Sequence, residues 1–179
     1  MKRFVGKTLA TFVVLSVSSA EAGPFPSWDQ VINKPKRFQV LADFNNEAVL
    51  DKETGLVWEK SPSTALVADW DTFLTGAVNA CYRKVVGGRM GWRLPKAEEL
   101  YSLADPAQTA PALPPGHPFE NVPTEPLSAP FWSATTLAEN PNFVIVVQFH
   151  QPPDLSNSVK TGGFNFVWCV RGGHGYDAY

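Results

Sequence analysis

Gly91-Trp92-Arg93-Leu94-Pro95, followed by Lys96-Ala97-Glu98-Glu99-Leu100, is the stretch on which the reading of this chain turns. Pro95 holds Leu94 extended, so the chain enters the next helix from a strand-like segment. That helix is expected from about Ala97 to Leu103, with Lys96 at its cap position. Leu100 and Leu103, three apart, then face the core. Arg93 lies between Trp92 and Leu94, and arginine is seldom buried alone. It is therefore expected to pair with a carboxylate, Asp51 or Glu99.

Upstream, Trp70, Phe73, Leu74, Ala77 and Cys81 recur at helical spacing and predict a first helix with one apolar face. Asp69 is its expected N-cap, Arg83 and Lys84 suit its C-terminal end, and Gly87-Gly88 stops it. Before it, Phe38, Val40, Ala42 and Phe44 alternate as a half-buried strand does. Asn45-Asn46 turns the chain. Residues 48–50 and 56–58 read as two further strands around the turn at residues 51–55.

Downstream, residues 104–130 hold eight prolines and read as a long loop. Residues 131–133 restart the sheet. Residues 143–149 (FVIVVQF) have the near-continuous apolar character of a strand buried on both faces. A second loop carries Pro152, Pro153, Gly162 and Gly163. Residues 164–170 form the expected closing strand, and residues 172–179 a flexible tail.

The N-terminus carries the pattern of an export signal. Lys2, Arg3 and Lys7 precede the apolar run from Leu9 to Val17, which is too short to span a bilayer as a helix. Ser18-Ser19-Ala20-Glu21-Ala22 then offers a small-residue cleavage site. Cleavage after Ala22 leaves 157 residues, with residues 23–36 as an extended, proline-rich lead-in. The protein is accordingly expected in the periplasm or outside the cell, with no membrane span after cleavage. The mature chain would carry 12 basic and 16 acidic residues. That balance speaks against general nucleic-acid binding, which needs a basic excess to neutralise phosphates. Its length suits one domain.

Two cysteines remain, Cys81 and Cys169. In an oxidising compartment an isolated pair most often forms one bridge. The alternative, two free thiols in redox or metal chemistry, lacks CxxC spacing and nearby histidines. A bridge would close a loop of about 88 residues, for which chain entropy supplies on the order of 4 kcal/mol.

Four signatures stand in order: Arg37-Phe38 through Val49, Asp51, Thr54-Gly55-Leu56, Trp58 and Lys60; Trp70 with the helix ending near Cys81; Trp92-Arg93-Leu94-Pro95 with Glu99-Leu100; and Phe131-Trp132-Ser133 with Val167 and Cys169-Val170-Arg171. Together, over residues 37–171, the chain resembles the Lcl C-terminal domain family. The resemblance implies an α+β, C-type-lectin-like fold: two helices, a small antiparallel sheet, long loops and one disulfide, related at a distance to formylglycine-generating enzymes. It also implies that Cys81 on the first helix bridges Cys169 on the last strand. Relatives commonly place threonine after the WRLP proline, where it completes a capping box. Here Lys96 stands there, so Glu99 keeps only its half.

For function, the expectation is a noncatalytic, adhesion-type recognition module. Its ligand would be a glycan or another envelope or extracellular protein, met by the loops at residues 104–130 and 151–163. Arg83, Lys84, Arg89, Arg93 and Lys96 form a basic cluster suited to acidic glycans. Trp58, Trp92, Trp132 and Trp168 are expected mainly in the core. Trp132 is nevertheless carried as a candidate ligand contact with Arg83, Lys84 and Arg89, since an exposed indole can stack on a sugar. No catalytic residue, metal site or cofactor is assigned. His117, His150 and His174 lack ligand spacing, no HExxH or GxSxG occurs, and the loop lacks a lectin-type calcium motif. The alternatives are an enzyme of the formylglycine-generating branch, which needs a reactive cysteine pair beyond any structural bridge, and a structural envelope component.

Overall fold

In the computed structural model, residues 37–109, 111–123, 129–150 and 152–173 are described. The export signal, the lead-in and most of the C-terminal tail lie outside them. The described residues form two short helices and two small antiparallel sheets, an α+β arrangement. The first sheet contains β1 (Phe38–Val40), β2 (Ala48–Asp51), β3 (Val57–Glu59) and, from the far end of the domain, β7 (Val170–Arg171), in that order. The second contains β4 (Phe131–Thr136), β5 (Phe143–Gln148) and β6 (Asp154–Val159). The helices are α1 (Ala77–Tyr82) and α2 (Ala97–Tyr101).

The expected strand at residues 38–44 stops at Val40. Ala42–Phe44 winds instead into a 3-10 turn, ended by Asn45 in the left-handed conformation. Asn45 and Asn46 both take positive φ, 52° and 61°, as asparagine tolerates. Register then follows directly: Val49 faces Trp58, and Trp58 faces Val170. Of the expected closing strand, only Val170–Arg171 joins the first sheet. Asn165 and Phe166 make single bridges to Val67 and Phe131.

α2 begins where the proline predicts, and Leu100 and Leu103 are both fully buried. Its start is held by a shared arrangement. The Glu99 carboxylate accepts the Lys96 N–H at 2.9 Å, and the Thr135 hydroxyl on β4 accepts the Ala97 N–H at 2.9 Å. A hydroxyl from across the fold thus caps a helix whose own cap residue has no acceptor in its side chain.

The core has two clusters. In the first, Trp168 lies at the centre, with the rings of Trp58, Phe119, Phe131 and Phe149 at 4.9–5.9 Å between centroids. Its indole N–H donates to the Glu59 carbonyl at 2.9 Å. Ala112, Leu113, Phe119 and Val122, from the proline-rich segment, are buried. These residues anchor the segment to the core, and between them other described residues of the segment, such as Glu120 and Asn121, are exposed. The second cluster gathers Trp92, Leu94, Trp132, Val144 and Val146 around Cys81 and Cys169.

β5 is buried at Val144, Val146 and Val147, whereas Phe143 and Ile145 are partly exposed, so it is not sealed on both faces. The second expected loop is the larger correction. Residues 154–159 (DLSNSV) form β6, paired with β5 at six successive positions. Its mostly polar side chains give no alternation to read, because this strand lies at the sheet edge and largely in solvent.

Candidate functional site

The disulfide joins Cys81 and Cys169, with 5.4 Å between their α-carbons, and both residues are completely buried. It fastens α1 to the segment entering β7. The surface of interest lies on the chain that α1 carries, residues 70–90.

Here the structure departs from the predicted helix. α1 starts at Ala77, not Trp70. The Ala77 and Val78 amides donate to the carbonyls of Asp69 and Trp70, at 3.0 and 2.9 Å, so residues 71–76 form an outward excursion. Gly76 permits it: a Cβ there would lie 2.4 Å from the Thr72 nitrogen. Leu74 sits at φ 72°, in the left-handed region that leucine rarely occupies. As a result Phe73 is 81% exposed and Leu74 54%, against the expectation that both face the core. Asp69 does not cap the helix; Gly76 holds the cap position, and Asp69 accepts the Gly162 N–H at 3.0 Å. Trp70 is tied inward, its indole N–H donating to the Ser133 carbonyl at 2.8 Å, and the Lys160 ammonium rests 4.3 Å from its ring centre.

After α1 the chain turns back through a bridge between Val86 and Arg89. That register sets Val85 opposite Met90, and both are exposed, as is Tyr82 at the helix end. Arg83 is exposed and donates to the Asn79 and Leu74 carbonyls, which holds the excursion against α1. Arg89 is exposed too. Its Nε donates to the Asp43 carbonyl at 3.2 Å, and its guanidinium lies 4.8 Å from the centre of the Phe44 ring.

Two of the candidate contacts are turned inward. Lys84 turns inward, its ammonium 2.7 Å from Oε1 of the buried Glu59. The other Glu59 oxygen accepts the Cys169 N–H at 2.7 Å. Burial pushes the Glu59 carboxyl above its usual range, and Lys84 and the Cys169 amide oppose that shift. Trp132 is fully buried, and its indole N–H donates to the Val67 carbonyl at 3.0 Å. No face of it is open to a sugar ring. Trp58, Trp92 and Trp168 are buried as expected.

Arg93 chooses between its two predicted partners: it forms a bidentate pair with Glu99, at 2.7 Å for both contacts, and bonds the Gly172 carbonyl. Asp51 is taken by Arg37, a pairing that the sequence reading missed. The Arg37 Nε and Nη2 donate to its two oxygens at 2.9 and 2.7 Å, with both side chains buried. The signal was present in Arg37 preceding an alternating segment, but nothing local marks which carboxylate it meets.

Among the described residues, no group of three or more His, Cys, Asp or Glu is placed to hold a metal ion. His117 stacks on Phe119, and burial lowers its pKa. His150 hydrogen-bonds Gln148, and His174 lies outside the described residues. Also among the described residues, no helix is long and apolar enough to cross a membrane.

The class so defined is a small α+β domain of two antiparallel sheets, with a disulfide pinning a partly apolar, partly basic surface to the core. The family model of the Lcl C-terminal domain matches residues 47–171, and the chain belongs to that family. No curated protein and no solved structure matches the chain.

Proposed function

We propose that this protein is an exported, noncatalytic recognition module with a C-type-lectin-like fold, and that residues 73–90 carry its contact surface. The observation that carries the reading is the exposure of Arg83 and Arg89 beside Phe73, Leu74, Tyr82 and Met90, on a segment fastened to the core by a buried disulfide. Large apolar side chains held in water at this density suit a partner that covers them. The two guanidinium groups add a preference for carboxylate, sulfate or phosphate. The partner fitting both is an acidic protein surface in the envelope or outside the cell. Acidic glycans are the second reading, favoured by Tyr82 and Phe73, whose exposed rings can stack on sugars.

The noncatalytic part is supported by how the reactive side chains are used. Both cysteines are in the bridge, and Glu99 is held by Arg93. Export is supported by the same bridge, which persists in oxidising compartments. The lectin-like layout is supported by the pair of short helices, the two small sheets and the tie from first helix to closing segment.

The test is a binding screen of the mature protein against acidic glycans and envelope proteins, repeated with Arg83→Ala/Arg89→Ala and with Phe73→Ser/Tyr82→Ser. A protein ligand should be lost with either pair. A glycan ligand should fall with salt and with the arginine pair. A ligand retained by both double variants would refute the assignment of this surface.

A further inference from the structure

β6 is the free edge of the second sheet, and apart from the charge of Asp154 it lacks the usual defences of such an edge. Natural edge strands are blunted by proline, lysine, bulges or a covering segment. Residues 154–159 contain no proline and no lysine, and they pair with β5 in unbroken register from Gln148–Asp154 to Phe143–Val159. Asp154, Leu155, Ser156, Asn157 and Val159 are exposed. Among the described residues no strand pairs with this edge.

The direction of its backbone groups follows from one bond. The Lys160 N–H donates to the Asn142 carbonyl at 2.9 Å, so the even-numbered positions turn their amides toward β5. In an antiparallel ladder the alternate residues turn theirs away. The free edge therefore presents the N–H and C=O groups of Leu155, Asn157 and Val159.

From this arrangement we infer that β6 pairs antiparallel with β6 of a second copy of this chain, about a two-fold axis at Asn157. That register sets Asn157 opposite Asn157, Leu155 opposite Val159, and Ser156 opposite Ser158. Each outward-facing residue then meets another outward-facing residue, and such pairs exchange both backbone bonds. Leu155 and Val159, 47% and 41% exposed, would cover each other on one face of the joined sheet. One step further, Asp154 stands opposite Lys160, and the symmetry makes that charge match twice. Neither Asp154 nor Lys160 has an ion-pair partner among the described residues, and the Lys160 ammonium rests on the Trp70 ring. An isologous contact needs a self-complementary patch, and this strand reads as its own complement in shape, polarity and charge. A contact of one strand pair falls in the small class of interfaces, so the dimer is concentration-dependent.

Sedimentation of the mature protein over a concentration series tests this. The weight-average mass should rise toward twice the chain mass. Asn157→Pro should stay monomeric, since the amide it removes faces away from β5, and Asp154→Lys should weaken the dimer at least tenfold by placing lysines opposite each other. Asn157→Cys should cross-link to itself on mild oxidation. Val159→Cys should not, because the register sets the two copies of that position about 13 Å apart along the strands. Circular dichroism melts separate these effects from misfolding. A mature protein that stays monomeric at all concentrations, or equal cross-linking at both positions, would overturn the inference, including the case in which another segment of the same chain covers the edge.

Discussion

Glu59 Oε1 lies 2.7 Å from the Lys84 ammonium, and that contact places a buried carboxylate between a partly exposed cation and the amide of a disulfide cysteine. The Glu59 carboxyl is raised above its ordinary range, chiefly by burial. Its charged form is therefore less favoured in the folded state than in the unfolded chain.

The sign of the pH dependence follows. A carboxyl whose folded pKa exceeds its unfolded pKa binds its proton more tightly in the folded state. Its stabilising contribution is complete below the unfolded value and is lost as pH rises through the folded one. Relative to Glu59→Gln, the wild type should lose stability as pH rises from the ordinary glutamate value of 4.5 through the raised one. Thermal melts of both proteins across that range measure the difference; a difference that does not change with pH would contradict the burial of the charge.

Lys84→Met removes the only cation paired with Glu59 among the described residues. Breaking one side of a buried pair costs about 3–5 kcal/mol when both groups are enclosed. Lys84 is one-third exposed, so about 1–3 kcal/mol is expected at pH 7, with less lost near pH 4. Denaturant unfolding at the two pH values provides the measurement.

Removing the bridge with Cys81→Ser/Cys169→Ser should destabilise the domain by about 4 kcal/mol. The loop it closes spans 88 residues. A loss below about 1 kcal/mol in urea unfolding would show that the tie constrains the unfolded chain far less than its length suggests.

Asp51→Ala should cost about 3 kcal/mol, the low end of what breaking a buried pair costs, because the buried Arg37 guanidinium keeps only Glu53, 3.2 Å from its Nε. Asp51 also accepts the Glu53 N–H and the Thr54 hydroxyl, so the turn after β2 loosens with it. Arg37→Met/Asp51→Met should recover part of that loss if the charge, and not the shape, dominates.

The start of α2 offers a gain. Lys96→Thr would add a side-chain acceptor and complete the capping box with Glu99, for about 0.5–1 kcal/mol of stabilisation. Thr135→Val should cost about 1 kcal/mol by removing the acceptor of the Ala97 amide. An unchanged melting temperature in both variants would mean that water caps this helix equally well.

Much of the scaffold was legible because it is written in near neighbours. Pro95 set the entry to α2, Asn45 and Asn46 set the turn before β2, and Val49 and Trp58 lie in strands where β-branched and aromatic residues recur. The first helix misled for a reason equally physical. Trp70, Phe73 and Leu74 do fall at helical spacing with Ala77 and Cys81, yet the Asp69 and Trp70 carbonyls are taken by Ala77 and Val78. The intervening residues are pushed into solvent. Periodicity reports which residues could share a face, not which carbonyl an amide finally reaches.

The candidate site was only half legible. Arg83 and Arg89 were named and are exposed, whereas Lys84 and Trp132 were named and are turned inward. Phe73, Leu74 and Met90 were not recognised as surface, since an apolar side chain carries no local mark of being left in water.

From its residues alone the chain determined its turns, the start of its second helix, most of its strand segments and its family, because each depends on backbone preferences within a few positions. Tertiary structure decided which carboxylate each arginine meets, which indoles are sealed, and that a polar run becomes an edge strand. Those outcomes depend on how water is excluded by segments far apart in the chain. Glu59 and Cys169, 110 positions apart and both buried, are joined in this way by one hydrogen bond.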